Sequence, residues 1–343
     1  MKKALLLLNL GTPATPTTEG LRQFYRHFFA DPFVFDMNPV GRWLLRNLII
    51  MPFRAPKTAK AYATIWMDAG SPLNVYADRL LVYLSSALNN DDVGIFVLNG
   101  MAYSEPFIGQ AMEELESRGI SDIAVLPMFP QYSTATTASV FHDVQQAAEK
   151  WANKPNLHFI NDLFSEPAFI RAWSVHIGKH LPTQDVEHVI FSYHGLPERT
   201  IQKADENAYC EFGKCCDTMS EANRYCYRAQ CLATTSSIAH ALGWDEGYYS
   251  SGFQSRFGRQ PWIKPYLDER ILDLLRSGVK KVAVVTPSFV SDCLETIHEI
   301  GIGYRELFLS NEGEEFYLLP NLNDEPSWLN AVQEIAQAHL DRI

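Results

Sequence analysis

The sequence predicts an α/β protein built from two similar Rossmann-like domains, each a four-stranded parallel sheet flanked by helices. Three observations carry that expectation. Eight apolar runs recur along the 343 residues, at 3–10, 93–98, 122–127, 157–160, 188–193, 247–250, 280–286 and 315–319. Most of them precede a helix-length segment, and strands alternating with helices indicate parallel sheets covered on both faces. The chain also repeats itself: Leu5-Leu-Leu-Leu-Asn-Leu-Gly-Thr-Pro13 is echoed by Val189-Ile-Phe-Ser-Tyr-His-Gly-Leu-Pro197, and Ile123-Ala-Val-Leu126 by Val282-Ala-Val-Val285. The expected halves are 1–164 and 165–343, with the ligand in the cleft between them and both Gly-x-Pro loops at its rim.

Each element follows from local chemistry. The start of the chain looks like a signal peptide, but Asn9 breaks the apolar run and no small-residue cleavage site follows, so it reads as the first strand and its loop. Residues 28–56 carry many large apolar side chains with interspersed arginines. They read either as a helix packed on its own domain or as an apolar lip for a greasy ligand or a lipid surface. The run His188 to Pro197 is a strand that ends at Gly195 and Pro197, which leaves His194 at its C-terminal tip. Ligands bind at that edge in open α/β sheets. Lys281 to Val285 is a buried strand, and a helix is expected from Asp292 onward. At about 100° per residue, Asp292, Glu295 and Glu299 share one stripe opposite Leu294, Ile297 and Ile300. Acids also suit the first turn of a helix, so the stripe alone is equally an ordinary wet face. Paired with a neutral imidazole, it can move protons or bind a metal.

Composition narrows the function. Some 47% hydrophobic residues allow one large core or two modest ones, and 29 basic against 40 acidic residues give a net charge of −11, which disfavours nucleic acid as a partner. No apolar stretch approaches the roughly 18 residues of a spanning helix. A cytoplasmic protein is expected, with residues 28–56 touching the inner face of a membrane. No Gly-x-Gly-x-x-Gly or Walker sequence occurs, so no nucleotide is expected. Five of the six cysteines, Cys210, Cys215, Cys216, Cys226 and Cys231, lie within 22 residues. Reduced thiols at that density read as metal ligands, four of them serving either a structural zinc or an iron–sulfur cluster. The Cys-x2-Cys pairs of a zinc ribbon are missing, which favours iron–sulfur. Cys293 reads as a packed thiol.

Together these motifs resemble those of the ferrochelatases, enzymes that insert ferrous iron into a porphyrin in haem synthesis. The resemblance covers nearly the whole chain. It rests on Phe191-Ser-Tyr-His-Gly-Leu-Pro197, Val290-Ser-Asp-Cys-Leu-Glu-Thr296, Phe253-Gln-Ser-Arg-Phe-Gly258 with Pro261-Trp262, Leu10-Gly-Thr-Pro13, Arg54-Ala-Pro-Lys57, Gly70-Ser-Pro72 and Pro130-Gln-Tyr-Ser133. It implies that His194 and Glu295 are metal-site residues and that Asp292 and Glu299 extend the acidic path. It further implies that Arg54, Ser71 and Ser255 contact porphyrin propionates and that Tyr62, Tyr103 and Trp262 line the pocket. The substrates implied are Fe2+ and protoporphyrin IX, with coproporphyrin III as the alternative; a tetrapyrrole or iron–sulfur carrier is the non-catalytic rival. The cysteine-rich run at 205–231 is similar to the insert of bacterial ferrochelatases that hold a [2Fe–2S] cluster, with Cys231 as the spare thiol. The chain departs from its relatives at Ala102-Tyr-Ser-Glu-Pro106, where they often have Arg-Tyr-x-His-Pro, and at Cys293, where some have His.

Overall fold

A computed structural model describes residues 2–35, 37–89, 94–182, 185–258 and 260–343. Eight strands form: β1 (Lys3–Asn9), β2 (Ile95–Met101), β3 (Asp122–Pro127), β4 (Asn156–Phe159), β5 (His188–His194), β6 (Tyr249–Gln254), β7 (Lys281–Val285) and β8 (Glu315–Leu318). Each matches an expected run, though β6 continues four residues further than expected. Residue 93, where the second strand was expected to begin, lies outside the described residues. The strands make two four-stranded sheets, ordered β2-β1-β3-β4 and β6-β5-β7-β8. Every pairing is parallel. Parallel neighbours need a crossover, and the helices between the strands supply it. The internal echo has a topological counterpart: β1 and β5 both hold the second place in their sheets, and β3 and β7 both hold the third.

The chain divides into two compact units. Residues 1–129, 134–162 and 332–343 form one, and residues 130–133 and 163–331 form the other. In the first, Leu6 and Leu8 of β1 and Ile123 and Val125 of β3 pack on Ile108, Met112, Leu115, Val140 and Val144 of the flanking helices. A separate apolar cluster joins Leu21, Tyr25 and Phe29 to Ile50, Ala55 and Ala59. In the second unit, Ile190, Val282 and Val284 pack on Leu267, Ile271, Ile300 and Phe308. The strands are apolar without alternation because both faces of a parallel sheet are covered.

One expectation is corrected. The helix expected from Asp292 starts at Leu294, with Cys293 as its cap, and runs to Tyr304 as a wide π-helix. The N–H of Arg305 donates to the carbonyl of Ile300, five residues back. The 100° spacing used to align the acids therefore does not apply, and Asp292 lies outside the helix. A second wide helix, Leu45–Arg54, contains Pro52, which lacks an N–H to donate. A third covers Thr134–Ala138. Such winding is rare and is concentrated at functional sites.

Candidate functional site

The second unit assembles one group of polar residues at the C-terminal ends of its strands. His194 closes β5, and its Nδ1 lies 2.7 Å from the carbonyl oxygen of Gly195. A carbonyl only accepts, so Nδ1 carries the proton and a neutral ring keeps its lone pair on Nε2. The backbone is held as well: the His194 N–H donates to Ser288 Oγ at 3.4 Å, and its carbonyl accepts from the Tyr227 hydroxyl at 2.9 Å. Gly195 is required by contact, because a Cβ there would lie 2.6 Å from the carbonyl of Gln254. That carbonyl instead accepts the Gly195 N–H at 2.9 Å.

Gln254, fully buried at the end of β6, ties the strands to the wide helix. It accepts from Ser192 Oγ at 2.7 Å and donates to the carbonyl of Glu295 at 3.1 Å. The next residue, Ser255, adopts a left-handed backbone at φ 69°, uncommon for a side chain with a Cβ. This turn brings its hydroxyl to 3.0 and 2.9 Å from the two oxygens of Glu299, so the residue that the resemblance assigns to propionates touches the acidic path. Burial raises the pKa of Glu299 and the Glu295 charge adds to it, while His194 and Ser255 act the other way. His194, Ser255, Glu295 and Glu299 thus form one electrostatic group. Tyr304 is pushed up by burial and by the Glu299 charge.

The other candidates sit in different surroundings. Both oxygens of Asp292 accept bonds from a following loop, from the N–H of Asn321 at 3.2 Å and from Asn323 Nδ2 at 2.7 Å. Burial raises its pKa against those bonds. Trp262 is buried behind the histidine loop, bridged to Pro197, with its indole N–H donating to the Phe257 carbonyl at 2.8 Å. Cys293 is a buried thiol, as expected. Arg54, Tyr62, Ser71 and Tyr103 belong to the first unit. Arg54 ends the wide helix Leu45–Arg54 and is exposed, and Tyr62 packs on the Leu21 cluster. Ser71, 2% exposed, caps the helix Pro72–Ala87 by accepting from the Asn74 N–H. The Tyr103 hydroxyl donates to Asp31 at 2.6 Å, where Ser139 also donates at 2.6 Å. Asp31 and Gln254 escaped the sequence reading. Asp31 carries no local signal, because its partners are 72 and 108 residues away. Gln254 lies within the recognised Phe253–Gly258 run, whose glutamine could have been singled out.

The cysteine segment folds so that four thiols meet in a chain. Cys210 meets Cys215, Cys215 lies 3.8 Å from Cys216 between sulfurs, and Cys216 meets Cys226. Burial and the neighbouring Cys215 push the Cys210 thiol up to about 12, and the bond to Cys226 raises Cys216. Cys226, which accepts from Cys216, is lowered. Cys231 stands apart from this chain, wholly buried in the helix Tyr227–Leu242 against the Tyr227 hydroxyl. A cavity of about 50 Å³ is lined by Cys210, Cys215 and Cys226, and neither Cys216 nor Cys231 lines it. All six cysteines are unpaired.

The fold has structural counterparts. The chelatase SirB from Bacillus subtilis, solved with Fe3+, superposes with a TM-score of 0.54 at 10% identity, covering 99% of this chain and 96% of that one. The cobalt complex of the sirohydrochlorin chelatase SirB from B. subtilis subspecies spizizenii gives 0.54 at 12%, covering 99% and 95%. These likenesses concern the fold. Ferrochelatases of Coxiella burnetii strain RSA 493 and Legionella pneumophila strain Lens are each 39% identical to this chain, over 340 and 338 residues. The alignments cover 99% and 98% of this chain and 94% and 98% of those proteins. The ferrochelatase family model matches residues 2–340. With the family pattern running through both sheets and through the histidine and acidic segments alike, the chain belongs to the ferrochelatase family and is an enzyme of porphyrin metallation.

Proposed function

We propose that the enzyme inserts Fe2+ into protoporphyrin IX to form protohaem, with His194 at the reacting centre and Glu295, Glu299 and Asp292 as the acidic path. One observation carries this reading: the Nδ1–H of His194 is spent on Gly195, which frees Nε2, and the same residue acts electrostatically on Glu299. Metallation exchanges two pyrrole N–H protons for one Fe2+, so charge balances when two protons leave. Either Nε2 accepts the two pyrrole protons in turn and passes each to Glu299, which releases it before the next, or Nε2 first holds the iron and Glu299 accepts the protons in turn. Burial raises the pKa of this carboxyl, which suits it to accept a proton, and the Ser255 hydroxyl holds it in place. Asp292 is the third acid of the path, held by Asn321 and Asn323.

In this reading Arg54 and Ser71 receive propionates, Arg54 through charge-assisted bonds, and Tyr62, Tyr103 and Trp262 shape the pocket wall. Protoporphyrin is preferred over the more anionic coproporphyrin because large apolar side chains lie exposed along the helices Pro39–Leu44 and Leu45–Arg54. Val40, Trp43, Leu48, Ile49 and Phe53 are all exposed, Phe53 at 74%. The same surface supports peripheral contact with a membrane face in the cytoplasm. No helix among the described residues is long and apolar enough to cross a membrane. Cys210, Cys215, Cys216 and Cys226 would hold a [2Fe–2S] cluster, which the chain of contacts among their thiols supports. When bound, such a cluster supplies a redox-sensitive cross-link of the segment.

The test is an anaerobic assay of Fe2+ with protoporphyrin IX and with coproporphyrin III, read from the absorption spectrum of the product. Faster turnover of protoporphyrin is expected. Preferential metallation of coproporphyrin would replace the substrate assignment and keep the enzyme class.

A further inference from the structure

We propose that His176, His180 and Glu325 form a second metal site, for a divalent ion of the zinc type, that uses none of the residues of the His194 group. One ligand atom from each of the three lies within 4.8 Å of the others. His176 and His180 stand four residues apart on the helix Pro167–His180, on one face, with ring centroids 4.4 Å apart. Glu325 arrives from the loop that precedes the helix Pro326–Leu340, with Oε1 3.1 Å from His180 Nε2.

His176 distinguishes this trio from an ordinary surface ion pair. It is 1% exposed, and its Nε2 lies 2.7 Å from the carbonyl of Pro320. The carbonyl can only accept, so Nε2 carries the hydrogen and Nδ1 keeps a lone pair. That Nδ1 is buried without a hydrogen-bond partner. An acceptor left unsatisfied in the interior is costly, and a cation would satisfy it. A ring that donates one N–H to a carbonyl and offers the other nitrogen is the usual state of a metal-binding histidine. Two imidazoles and one carboxylate suit zinc-type ions, with a fourth position left for water.

Lys179 now serves as the counter-charge, its Nζ 2.9 Å from both Glu325 oxygens. It is an exposed, flexible side chain that can withdraw at little cost. It does nothing for His176 Nδ1. A bound ion would clamp the helix Pro167–His180 to the loop that carries Asn321 and Asn323, the two residues that hold Asp292.

The full-length protein as isolated, dialysed into metal-free buffer, would be titrated with Zn2+ by calorimetry and melted with and without the ion. Glu325→Gln and His180→Ala remove partly exposed ligands, and circular dichroism checks their fold. Wild type should bind one more Zn2+ than either variant, or bind that ion at least about 10-fold more tightly. Its melting temperature should rise by a few degrees with zinc while theirs do not. Lys179→Met should tighten the same ion, because it removes the competing ammonium. The difference should persist in a His194→Ala background, which separates this site from the reacting centre. Equal stoichiometry and equal thermal shifts in wild type and both variants would overturn the proposal, as would binding at millimolar zinc only.

Discussion

His194 is fixed through its ring, its amide and its carbonyl, so its side chain can be removed without unmaking the loop. His194→Ala is expected to lower metallation by about 100-fold or more with a melting temperature near wild type. Turnover close to wild type would reject its role. Glu299 allows a test by pH. Its carboxyl titrates above the ordinary value of 4.5, so just above that pH the folded chain keeps a proton that the unfolded chain has released. Stability from this residue therefore falls as pH rises through that window, and at neutral pH the buried carboxylate is a net cost. Glu299→Gln should melt at or above the wild-type temperature at pH 8, lose that advantage at pH 5, and turn over more slowly at both. A lower melting temperature at pH 8 would mean that the charge-assisted hydrogen bond from Ser255 outweighs the burial of the charge.

At the scale of elements, the cysteine segment and the histidine strand share a joint. Cys226 caps the helix whose first residue, Tyr227, donates to the His194 carbonyl. Tyr227→Phe keeps the buried ring and removes the hydroxyl's bonds to the His194 carbonyl, Cys231 and Ser288, which should cost about 1 kcal/mol of stability or more and reduce turnover a few-fold. An unchanged rate would show that the other two anchors suffice. In the cluster itself, serine at Cys210, Cys215, Cys216 or Cys226 should abolish the visible colour and bound sulfide of the anaerobic protein. Cys231→Ser should retain both, because that sulfur has the Tyr227 hydroxyl as its partner and lies outside the chain of thiols. Loss of colour at Cys231 and retention at one of the other four would reassign the ligands. The wide helix Leu294–Tyr304 matters at the same scale, since it spaces Glu295 and Glu299 while Asp292 stays on the preceding loop.

For the whole molecule, the proposed proton path lies in one unit and the proposed substrate contacts, Ser255 and Trp262 apart, in the other. Arg54, Tyr62, Ser71 and Tyr103 fall in the first, and His194, Ser255, Trp262, Asp292, Glu295 and Glu299 in the second. Binding and chemistry should then separate by mutation. Arg54→Ala is expected to raise the porphyrin dissociation constant about 10-fold or more and change the rate of the bound complex little, as removal of one charge-assisted contact would do. Single-turnover kinetics with saturating porphyrin distinguish the two. A fall in the bound-state rate with unchanged affinity would contradict the anchoring role.

All eight strands, their parallel pairing and the likeness of the halves were legible in the sequence, because unbroken apolar runs such as Leu5–Leu8 and Val282–Val285 fit little else when helix-length segments separate them. His194 was legible too, since Gly195 and Pro197 end its strand. The pitch of the helix after β7 was not. The apolar spacing of Leu294, Ile297 and Ile300 fits an ordinary helix, whereas the folded segment winds wider, with Ile300 and Tyr304 packed in the second unit's core. The same limit hid the partners of Asp292, Asp31 and Gln254 and the meeting of His176, His180 and Glu325. In each of these a polar group finds its partner 29 to 149 residues away, judged by Asp292 with Asn321 and His176 with Glu325. Periodicity reports which face of an element is buried. Which polar atoms meet there depends on distant segments of chain, and tertiary structure alone decides it.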